Sequence, residues 1–317
     1  MKLIIQIPCF NEEKTLPVCL EALPREVEGF DSVEWLVIDD GSKDNTVQVA
    51  EKYGVDHIIR FKKNKGLAKG FMAGINASLR LGADVIVNTD ADNQYNADDI
   101  PLITGPILRG EADIVVGSRP IDDIEHFSSI KKILQKLGSK VVRSASKTKV
   151  EDVTSGFRAI SRDFAMQLNV FNEYTYTLET IIQAGQKNIV IVSVPIRTNP
   201  FLRPSRLMRS IPSYIKKSIV TIVRIFVVYK PFRFFLSIGL IFLLCGILTG
   251  GRFLYFYLTG DGTGHIQSLI FASIMIGIGF QIVMVAFLAD LLSVNRRLLE
   301  DIQYRLKKNE FNRNREQ

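Results

Sequence analysis

Two long segments near the C-terminal end of the chain contain no charged residue. The first runs from Phe234 to Gly251 and continues beyond Arg252 as the apolar run "FLYFYL"; the second runs from Ile266 to Ala289. A helix needs roughly 20 apolar residues to cross a hydrocarbon core about 30 Å thick. We therefore predict two membrane-spanning helices, at about residues 233–257 and 267–291. The alternative, two buried helices of a soluble protein, requires each to be apolar on every side.

The charges that flank these segments predict their orientation. "YKPFR" precedes the first segment and "NRRLLEDIQYRLKK" follows the second, whereas the connection "TGDGTGH" contains no Lys or Arg. Lys and Arg concentrate on the cytoplasmic side of membrane proteins. We expect a multi-pass protein of the inner (plasma) membrane, with both ends and residues 1–231 in the cytoplasm.

Composition sets broader limits. The 317 residues carry a net charge of +7, which favours nucleic acid, anionic membranes or phosphorylated ligands without choosing among them. Three cysteines without paired or metal-ligand spacing argue against a disulfide framework and favour a reducing compartment. The short apolar run of "MKLIIQIPCFNEE" is followed at once by acidic residues, so it reads as a first strand and not as a signal peptide.

The first two hundred residues alternate between strand-like and helix-like segments. Five β-rich, nearly continuous apolar runs predict strands buried on both faces: "KLIIQIP", "VEWLVID", "DHIIRF", "DVIVNTD" and "DIVVGSR". The helical patterns between them end at Gly54 and Gly82, as expected just past a helix C-terminus. Gly66, Gly70 and Gly74 recur on one helix face, which favours close packing on the sheet over ligand contact. This α/β pattern predicts a mainly parallel open sheet, and such sheets bind ligands at the carboxyl ends of their strands.

Three of these strands end in polar groups: "FNEE", "DDGS" and "TDADNQ". No glycine-rich phosphate loop follows the first strand, so an anionic ligand would need another neutralising group. In an extended segment Asp90 and Asp92 point the same way, and with Gln94 they present oxygens to one divalent cation. The alternative is that these acids cap the next helix.

Six motifs in order carry a family resemblance: "IPCFNEE", "VIDDGSKDNT", "NKGLAKG", "NTDADNQY", "VGSR" and "DVTSGFRAI". With the two C-terminal spans they resemble a family 2 inverting glycosyltransferase of the GT-A (Rossmann-like) fold. More narrowly, they resemble the polyprenyl-phosphate glycosyltransferases, which include bactoprenol glucosyltransferases and dolichol-phosphate mannose synthases.

The resemblance implies roles for individual residues. The nucleotide sugar would be bound by Pro8, Phe10, Asn11, Glu12, Asp39, Asp40, Asp90 and Ala91. Mg²⁺ or Mn²⁺ would be held by Asp90, Asp92 and Gln94. The catalytic group would comprise Asp92, Arg119, Asp152, Arg203 and Arg206, and the acceptor phosphate would be held by Arg119, Arg203, Ser205 and Arg206. The "FLRPSRL" loop lacks the glycine usual in the family, and Arg119 and Arg158 remain candidates for either phosphate ligands or structural ion pairs.

The expected chemistry needs position more than proton transfer. A monoester phosphate has a second pKa of about 6, so at neutral pH the acceptor is mostly a nucleophilic dianion. A strong general base is then dispensable, and Asp152 would orient an arginine or the acceptor.

The predicted domains are a glycosyltransferase domain (1–204), an interfacial amphipathic segment (205–231), the two transmembrane helices (232–292) and a basic cytoplasmic tail (293–317). Residues 207–231 mix regularly placed Arg and Lys with bulky apolar residues, and the alternative for them is a solvated amphipathic packing helix. The expected partners are a nucleotide sugar, polyprenyl (undecaprenyl) phosphate, the membrane and a second copy of the chain, with no nucleic acid.

Three functions compete at this point. The favoured one transfers a single hexose, glucose from UDP-glucose, with GDP-mannose as the alternative donor. A processive polysaccharide synthase would be expected to carry the QxxRW signature, which is absent because the chain has one tryptophan, Trp35. The third is a non-catalytic membrane protein that binds a nucleotide sugar.

Overall fold

The computed structural model describes residues 1–120, 148, 150–170, 176–200, 220, 223–224, 227–260 and 262–313. The chain divides into two compact units, residues 1–218 with 300–317, and residues 219–299. The predicted acceptor loop with Arg203, Ser205 and Arg206, and most of the predicted interfacial segment, lie outside the described residues.

The first unit is built around one seven-stranded sheet. Its strands are β1 (Lys2–Cys9), β2 (Ser32–Asp39), β3 (His57–Arg60), β4 (Val85–Asn88), β5 (Ile114–Ser118), β6 (Arg158–Ser161) and β7 (Ile191–Pro195). The spatial order is β3-β2-β1-β4-β6-β5-β7. All neighbouring pairs are parallel except β6, which runs antiparallel to both β4 and β5. The predicted α/β class and the mainly parallel sheet are confirmed.

Helices cover the sheet between these strands. They are α1 (Leu16–Ala22), α2 (Thr46–Lys52), α3 (Leu67–Arg80), α4 (Ile100–Leu108), α5 (Arg162–Gln167) and α6 (Thr177–Gln186). The five predicted strands correspond to β1 to β5, and the central strands β1 and β4 are buried almost throughout. Burial on both faces explains why their sequences are apolar runs and do not alternate.

The glycines of α2 and α3 have the predicted positions. Gly54 and Gly82 follow the helices with φ of 66° and 83°, in the left-handed region. At Gly74 a Cβ would lie 2.4 Å from Gln6 Oε1 and 2.8 Å from Ile38 Cδ1, so this glycine is needed for close packing of α3 on the sheet. Gly66 has a different task, since it precedes the helix with φ of 93°.

The second unit contains one long helix and most of another. Helix α7 (Pro231–Leu258) and helix α8 (Ile266–Arg313) are long and apolar enough to cross a membrane, judged by length and composition. They form an antiparallel hairpin in which glycines allow close approach: a Cβ at Gly239 would lie 2.8 Å from Val283 Cγ2, and one at Gly246 would lie 2.7 Å from Ile276 Cγ1. Small residues at helix contacts are typical of membrane helix pairs.

The C-terminal end of α8 belongs to the first unit. Phe311 is buried there, and its carbonyl oxygen accepts a hydrogen bond from Arg162 Nη2 at 3.3 Å. Lys307 Nζ donates to the carbonyl oxygen of Leu168 at 3.3 Å. The segment predicted as a basic tail is therefore helical to Arg313, and its last turns contact the rest of the first unit.

Candidate active site

The carboxyl ends of β1, β2 and β4 lie side by side, because β1 pairs with the other two in parallel. The loops that follow β1 and β2 are joined directly. Asn11 N–H donates to Ser42 Oγ at 2.8 Å, and Lys43 N–H donates to Asn11 Oδ1 at 2.8 Å. Asn11 adopts φ of 56°, a backbone conformation that asparagine tolerates better than most residues. The predicted convergence of polar strand ends therefore occurs.

The loop after β4 differs from the extended segment expected there. The strand ends at Asn88, the chain turns at residues 91–92, and Asn93 adopts φ of 54°. Gln94 N–H donates to Asp92 Oδ1 at 3.2 Å across this turn. Asp90 and Asp92 come together through a turn, and not through the alternation of a strand, so the geometric reason for the prediction was wrong.

The helix-capping alternative for these acids does not hold either. A 3₁₀ turn (Ala97–Asp99) and α4 follow, and Asn96 caps the turn by accepting from Asp98 N–H at 3.0 Å. Asp90 and Asp92 have no part in that cap, so another role is needed for them.

Asp90 and Asp92 interact electrostatically. Burial, and then the Asp92 carboxylate, raise the pKa of Asp90 to about 7, whereas Arg119 and a hydrogen bond with Tyr95 act in the opposite direction. Two carboxylates whose ionised forms repel each other provide a favourable environment for a cation. The residues therefore fit the predicted divalent metal.

The metal would need further ligands. Among the residues that the structure describes, no group of three or more His, Cys, Asp or Glu side chains lies together in a way that could hold a metal ion. Mg²⁺ is commonly bound by one or two carboxylates with substrate phosphates as the other ligands. Asp90 and Asp92 match that arrangement, and Gln94 lies in the same turn.

Asp39 and Asp40 end β2 with different contacts. Asp39 is fully buried; its Oδ1 accepts from Ser42 N–H at 2.9 Å, while Oδ2 lies 3.4 Å from Arg60 Nε with no hydrogen bond. Asp40 accepts from the N–H groups of Lys65 and Gly66 at 2.7 and 2.9 Å. Asp39 thus keeps an acceptor for a ligand, and Asp40 fixes the entry to α3.

The other predicted donor-binding residues surround the same strand ends. Phe10 is exposed, Pro8 is half-buried, and Ala91 is buried. Glu12 is buried, and its carboxylate accepts from Thr15 Oγ1 at 2.6 Å. Glu12 also contributes to the raised pKa of Asp90, which places it near the two acids.

Arg119 and Asp152 form a buried ion pair. Arg119 follows β5, and its Nε and Nη2 donate to Asp152 Oδ2 and Oδ1 at 2.7 and 3.2 Å. Thr154 Oγ1 accepts from Arg119 Nη2 at 3.0 Å and donates to Asp152 Oδ1 at 2.8 Å. Burial alone would raise the pKa of Asp152, but Arg119 and Thr154 outweigh it and hold the pKa below its ordinary value.

Arg158 has a structural position. It is fully buried, and its guanidinium donates to the carbonyl oxygens of Val153, Ser155 and Thr177 at 3.0, 2.8 and 2.8 Å. This answers for Arg158 the choice between phosphate ligand and structural residue, since it holds the loop before β6.

Three buried residues of this region were not predicted. They are Asn88 and Tyr176, which are joined by a hydrogen bond, and Gly156, which lies against Asp90. An Asn at the end of the apolar segment "VIVN" and a Gln inside "KLIIQIP" were the sequence signals that could have pointed to them.

A GT-A type of glycosyltransferase fold is defined by three features: the strand order, the antiparallel strand β6, and the loop after β4 that carries Asp90 and Asp92. The chain belongs to glycosyl transferase family 2, whose model matches residues 4–168, over half of its length.

Sequence relatives and solved structures agree with this assignment. The chain is 30% identical over 218 residues to UDP-N-acetylglucosamine–dolichyl-phosphate N-acetylglucosaminyltransferase of Methanococcus voltae, covering 61% of this chain and 83% of that protein. It is 28% identical over 206 residues to undecaprenyl-phosphate mannosyltransferase of Micrococcus luteus, covering 62% and 83%. Glucosyl-3-phosphoglycerate synthase from Mycobacterium tuberculosis, solved with Mn²⁺, UDP and glucosyl-3-phosphoglycerate, superposes with a TM-score of 0.54 at 19% identity, over 71% of this chain and 78% of that one.

Proposed function

We propose that this protein transfers one hexose from a nucleotide sugar to polyprenyl phosphate at the cytoplasmic face of the membrane, with Mg²⁺ or Mn²⁺ as cofactor. The observation that carries the proposal is a pair of acids suited to a cation, with a buried, ion-paired arginine close enough for its charge to act on Asp90. The polyprenyl- and dolichyl-phosphate relatives and the two long apolar helices support the lipid acceptor.

The donor end of the site would be formed by β1, β2 and the turn after β4. Asp39 Oδ2, buried and without a hydrogen bond, is suited to accept an N–H of the base. Asp90 and Asp92, with Gln94, would hold the cation against the diphosphate. The cation supplies positive charge to the nucleoside diphosphate that leaves, so no protonated side chain is needed for departure.

The acceptor end would be formed by Arg119 and, from the resemblance, by Arg203, Ser205 and Arg206. Asp152 binds two of the three guanidinium nitrogens of Arg119 and thereby fixes the plane of that group. A fixed guanidinium aims its remaining N–H groups in one direction, which suits the orientation of a phosphate. Attack by an oriented dianion then requires little assistance from a base.

We propose UDP-glucose as the donor, from the resemblance to bactoprenol glucosyltransferases. GDP-mannose is the alternative, favoured by the mannosyltransferase relative in Micrococcus luteus. Both uracil and guanine carry a ring N–H for Asp39, so that residue does not discriminate between them.

The test is a donor panel with the full-length protein purified in detergent. UDP-glucose, UDP-N-acetylglucosamine and GDP-mannose are each supplied with undecaprenyl phosphate and Mn²⁺, and both lipid-linked sugar and nucleoside diphosphate are measured. We expect equal amounts of the two products from UDP-glucose and a dependence on lipid. Binding of donor without release of nucleoside diphosphate would instead identify a non-catalytic binding protein, and repeated addition of sugars would identify a processive synthase.

A further inference from the structure

The backbone N–H and C=O groups of Gly156 each form a hydrogen bond with a side chain of the site. Its N–H donates to the hydroxyl of Tyr95 at 2.9 Å, and its carbonyl oxygen accepts from Asn88 Nδ2 at 2.8 Å. Asn88 ends β4, and Tyr95 lies a few residues later in the loop that carries Asp90 and Asp92. The backbone of Gly156 is therefore fixed relative to this loop.

The Asp90 carboxylate lies close to Gly156. A Cβ at this position would lie 3.1 Å from each carboxylate oxygen of Asp90 and 3.0 Å from the hydroxyl of Tyr176. The Asp90 side chain therefore rests against a glycine whose N–H is bound by the Tyr95 hydroxyl.

A chain of buried polar groups supports Asn88 from behind. Gln6 Nε2 donates to Asn88 Oδ1 at 2.8 Å, and Asn88 Nδ2 also donates to the Tyr176 hydroxyl at 2.9 Å. The Tyr176 ring stacks on Phe71 with ring centroids 3.9 Å apart. Gln6, Asn88 and Tyr176 are almost completely inaccessible to solvent. A buried amide that loses its hydrogen-bond partners is destabilising, so alternative positions of Asn88 are disfavoured.

The loop before β6 also carries Asp152, the partner of Arg119 in the buried ion pair. Asp152, which binds Arg119, lies four residues before Gly156, and Arg158 holds the intervening carbonyl oxygens of Val153 and Ser155. The loop before β6 therefore places Gly156 next to Asp90 and Asp152 next to Arg119.

We propose that Tyr95 and Asn88 are positioning residues for the cation-binding carboxylate of Asp90, acting through the backbone of Gly156. The inference rests on the proposed function, because it assumes that Asp90 binds the cation. Groups that orient metal ligands from outside the coordination shell typically change metal affinity or activity by about 10–100-fold when removed.

Three tyrosine-to-phenylalanine variants of the full-length protein test the proposal. Tyr95→Phe removes the hydroxyl that accepts from Gly156 N–H but keeps the ring, which stacks on Phe157. Tyr176→Phe removes one of two partners of Asn88 Nδ2 and a long 3.5 Å hydrogen bond to the Gly156 carbonyl oxygen, and leaves the shorter bonds of Gly156 to Tyr95 and Asn88 in place. Tyr53→Phe is the matched control, since the hydroxyl of Tyr53 donates to Glu21 at 3.0 Å on the exposed surface.

Mn²⁺ binding in the presence of UDP is measured from the electron paramagnetic resonance signal of the free ion. We expect Tyr95→Phe to weaken Mn²⁺ binding at least about ten-fold, Tyr176→Phe to weaken it less, and Tyr53→Phe to leave it unchanged. In turnover assays the Mn²⁺ concentration for half-maximal rate should rise in the same order, with kcat largely recovered at saturating Mn²⁺.

A merely structural role would lower the melting temperature or kcat without moving the Mn²⁺ half-saturation, and that result would overturn the proposal. So would wild-type Mn²⁺ affinity in Tyr95→Phe. If Tyr95→Phe does not fold, Tyr176→Phe decides the question: reduced Mn²⁺ affinity supports the proposal and unchanged affinity contradicts it. A wild-type protein that binds Mn²⁺ with UDP but forms no lipid-linked sugar would refute the proposed function while these binding comparisons still test the positioning.

Discussion

Arg119 Nε donates to Asp152 Oδ2 at 2.7 Å, and the carboxylate of Asp152 has no exposed surface. The two residues are far apart in the chain and meet because the loop before β6 returns to the end of β5. The pair fixes the orientation of the guanidinium, whose charge also acts on Asp90, and it occupies the buried carboxylate of Asp152 as a partner of arginine. An acid in this situation is suited to orient and poorly suited to accept a proton.

The pair leads to a prediction about pH. Because Arg119 and Thr154 hold the pKa of Asp152 below its ordinary value of about 3.9, the carboxylate is ionised throughout the range from pH 5 to 8 and loses its charge only in stronger acid. The acidic limb of the pH–rate profile should therefore come from the acceptor phosphate, near pH 6. Asp152→Asn should lower kcat, since Arg119 loses its orienting partner, but should keep that limb. Disappearance of the limb in Asp152→Asn would mean that Asp152 takes the proton.

Packing of α3 on the sheet gives a prediction about stability with an internal control. A Cβ at Gly74 would overlap Gln6 Oε1, whereas a Cβ at Gly70 would make an ordinary contact of 3.9 Å with Ile38 Cγ2. Gly74→Ala should lower the free energy of unfolding by about 1–3 kcal/mol. Gly70→Ala should raise it by up to about 1 kcal/mol, because alanine favours a helix. Unfolding can be followed by the fluorescence of Trp35, which is buried; equal effects of the two variants would contradict this packing.

Membrane topology is predicted from the distribution of Lys and Arg. Single cysteines at Thr263, between the apolar helices, and at Asn309, in the last turns of α8, are tested with an impermeant thiol reagent in intact cells. The background lacks Cys9, Cys19 and Cys245. Position 263 should be labelled and position 309 protected. Since Phe311 and Lys307 contact the glycosyltransferase domain, position 309 also reports the side of the active site. Labelling of 309 alone would place the site outside the cytoplasm.

The predicted acceptor loop is tested by Arg203→Ala and Arg206→Ala. If these arginines bind the lipid phosphate, either change should raise the apparent KM for polyprenyl phosphate or lower kcat, while nucleotide-sugar binding without lipid stays unchanged. Lysine should restore activity only in part, because it lacks the planar two-pronged fork. Arg109→Ala is the control, since Arg109 is exposed and pairs with Glu111 at 2.8 Å. Weakened nucleotide-sugar binding in the arginine variants would move them to the donor end.

The sequence was most informative where burial imposes a simple pattern. Strands β1 to β5 could be predicted because strands buried on both faces become apolar runs, and the ends of α2 and α3 because a left-handed residue there favours glycine. Strand β6 was not predicted as a strand, since "RAIS" begins with a buried arginine whose charge is satisfied by carbonyl oxygens. Its antiparallel direction depends on pairing with β4 and β5, which no local pattern encodes.

The candidate site could be predicted as residue types but not as contacts. Asp90 and Asp92 were found from their spacing, although the turn at residues 91–92 that joins them depends on the left-handed Asn93. The partner of Asp152 was open, because the sequence predicted only that Asp152 orients an arginine or the acceptor. The fold brings Arg119 to its carboxylate and Arg158 to backbone carbonyl oxygens. The role of Gly156 depends on an approach of Asp90 from a distant part of the chain.

The central claim is that a cation held by Asp90 and Asp92 serves transfer of a sugar to a lipid phosphate. The most direct measurement is the formation of lipid-linked glucose from UDP-glucose and undecaprenyl phosphate, with Mn²⁺ or with EDTA, by the wild type, Asp92→Asn and Asp98→Asn. Asp98 is the control because it lies in the same loop with its side chain 77% exposed. We expect product from the wild type and Asp98→Asn only with Mn²⁺. We expect none from Asp92→Asn, because this variant loses a hard anionic ligand without a change of shape. Full activity of the wild type in EDTA, or wild-type activity of Asp92→Asn, would contradict the role of this cation.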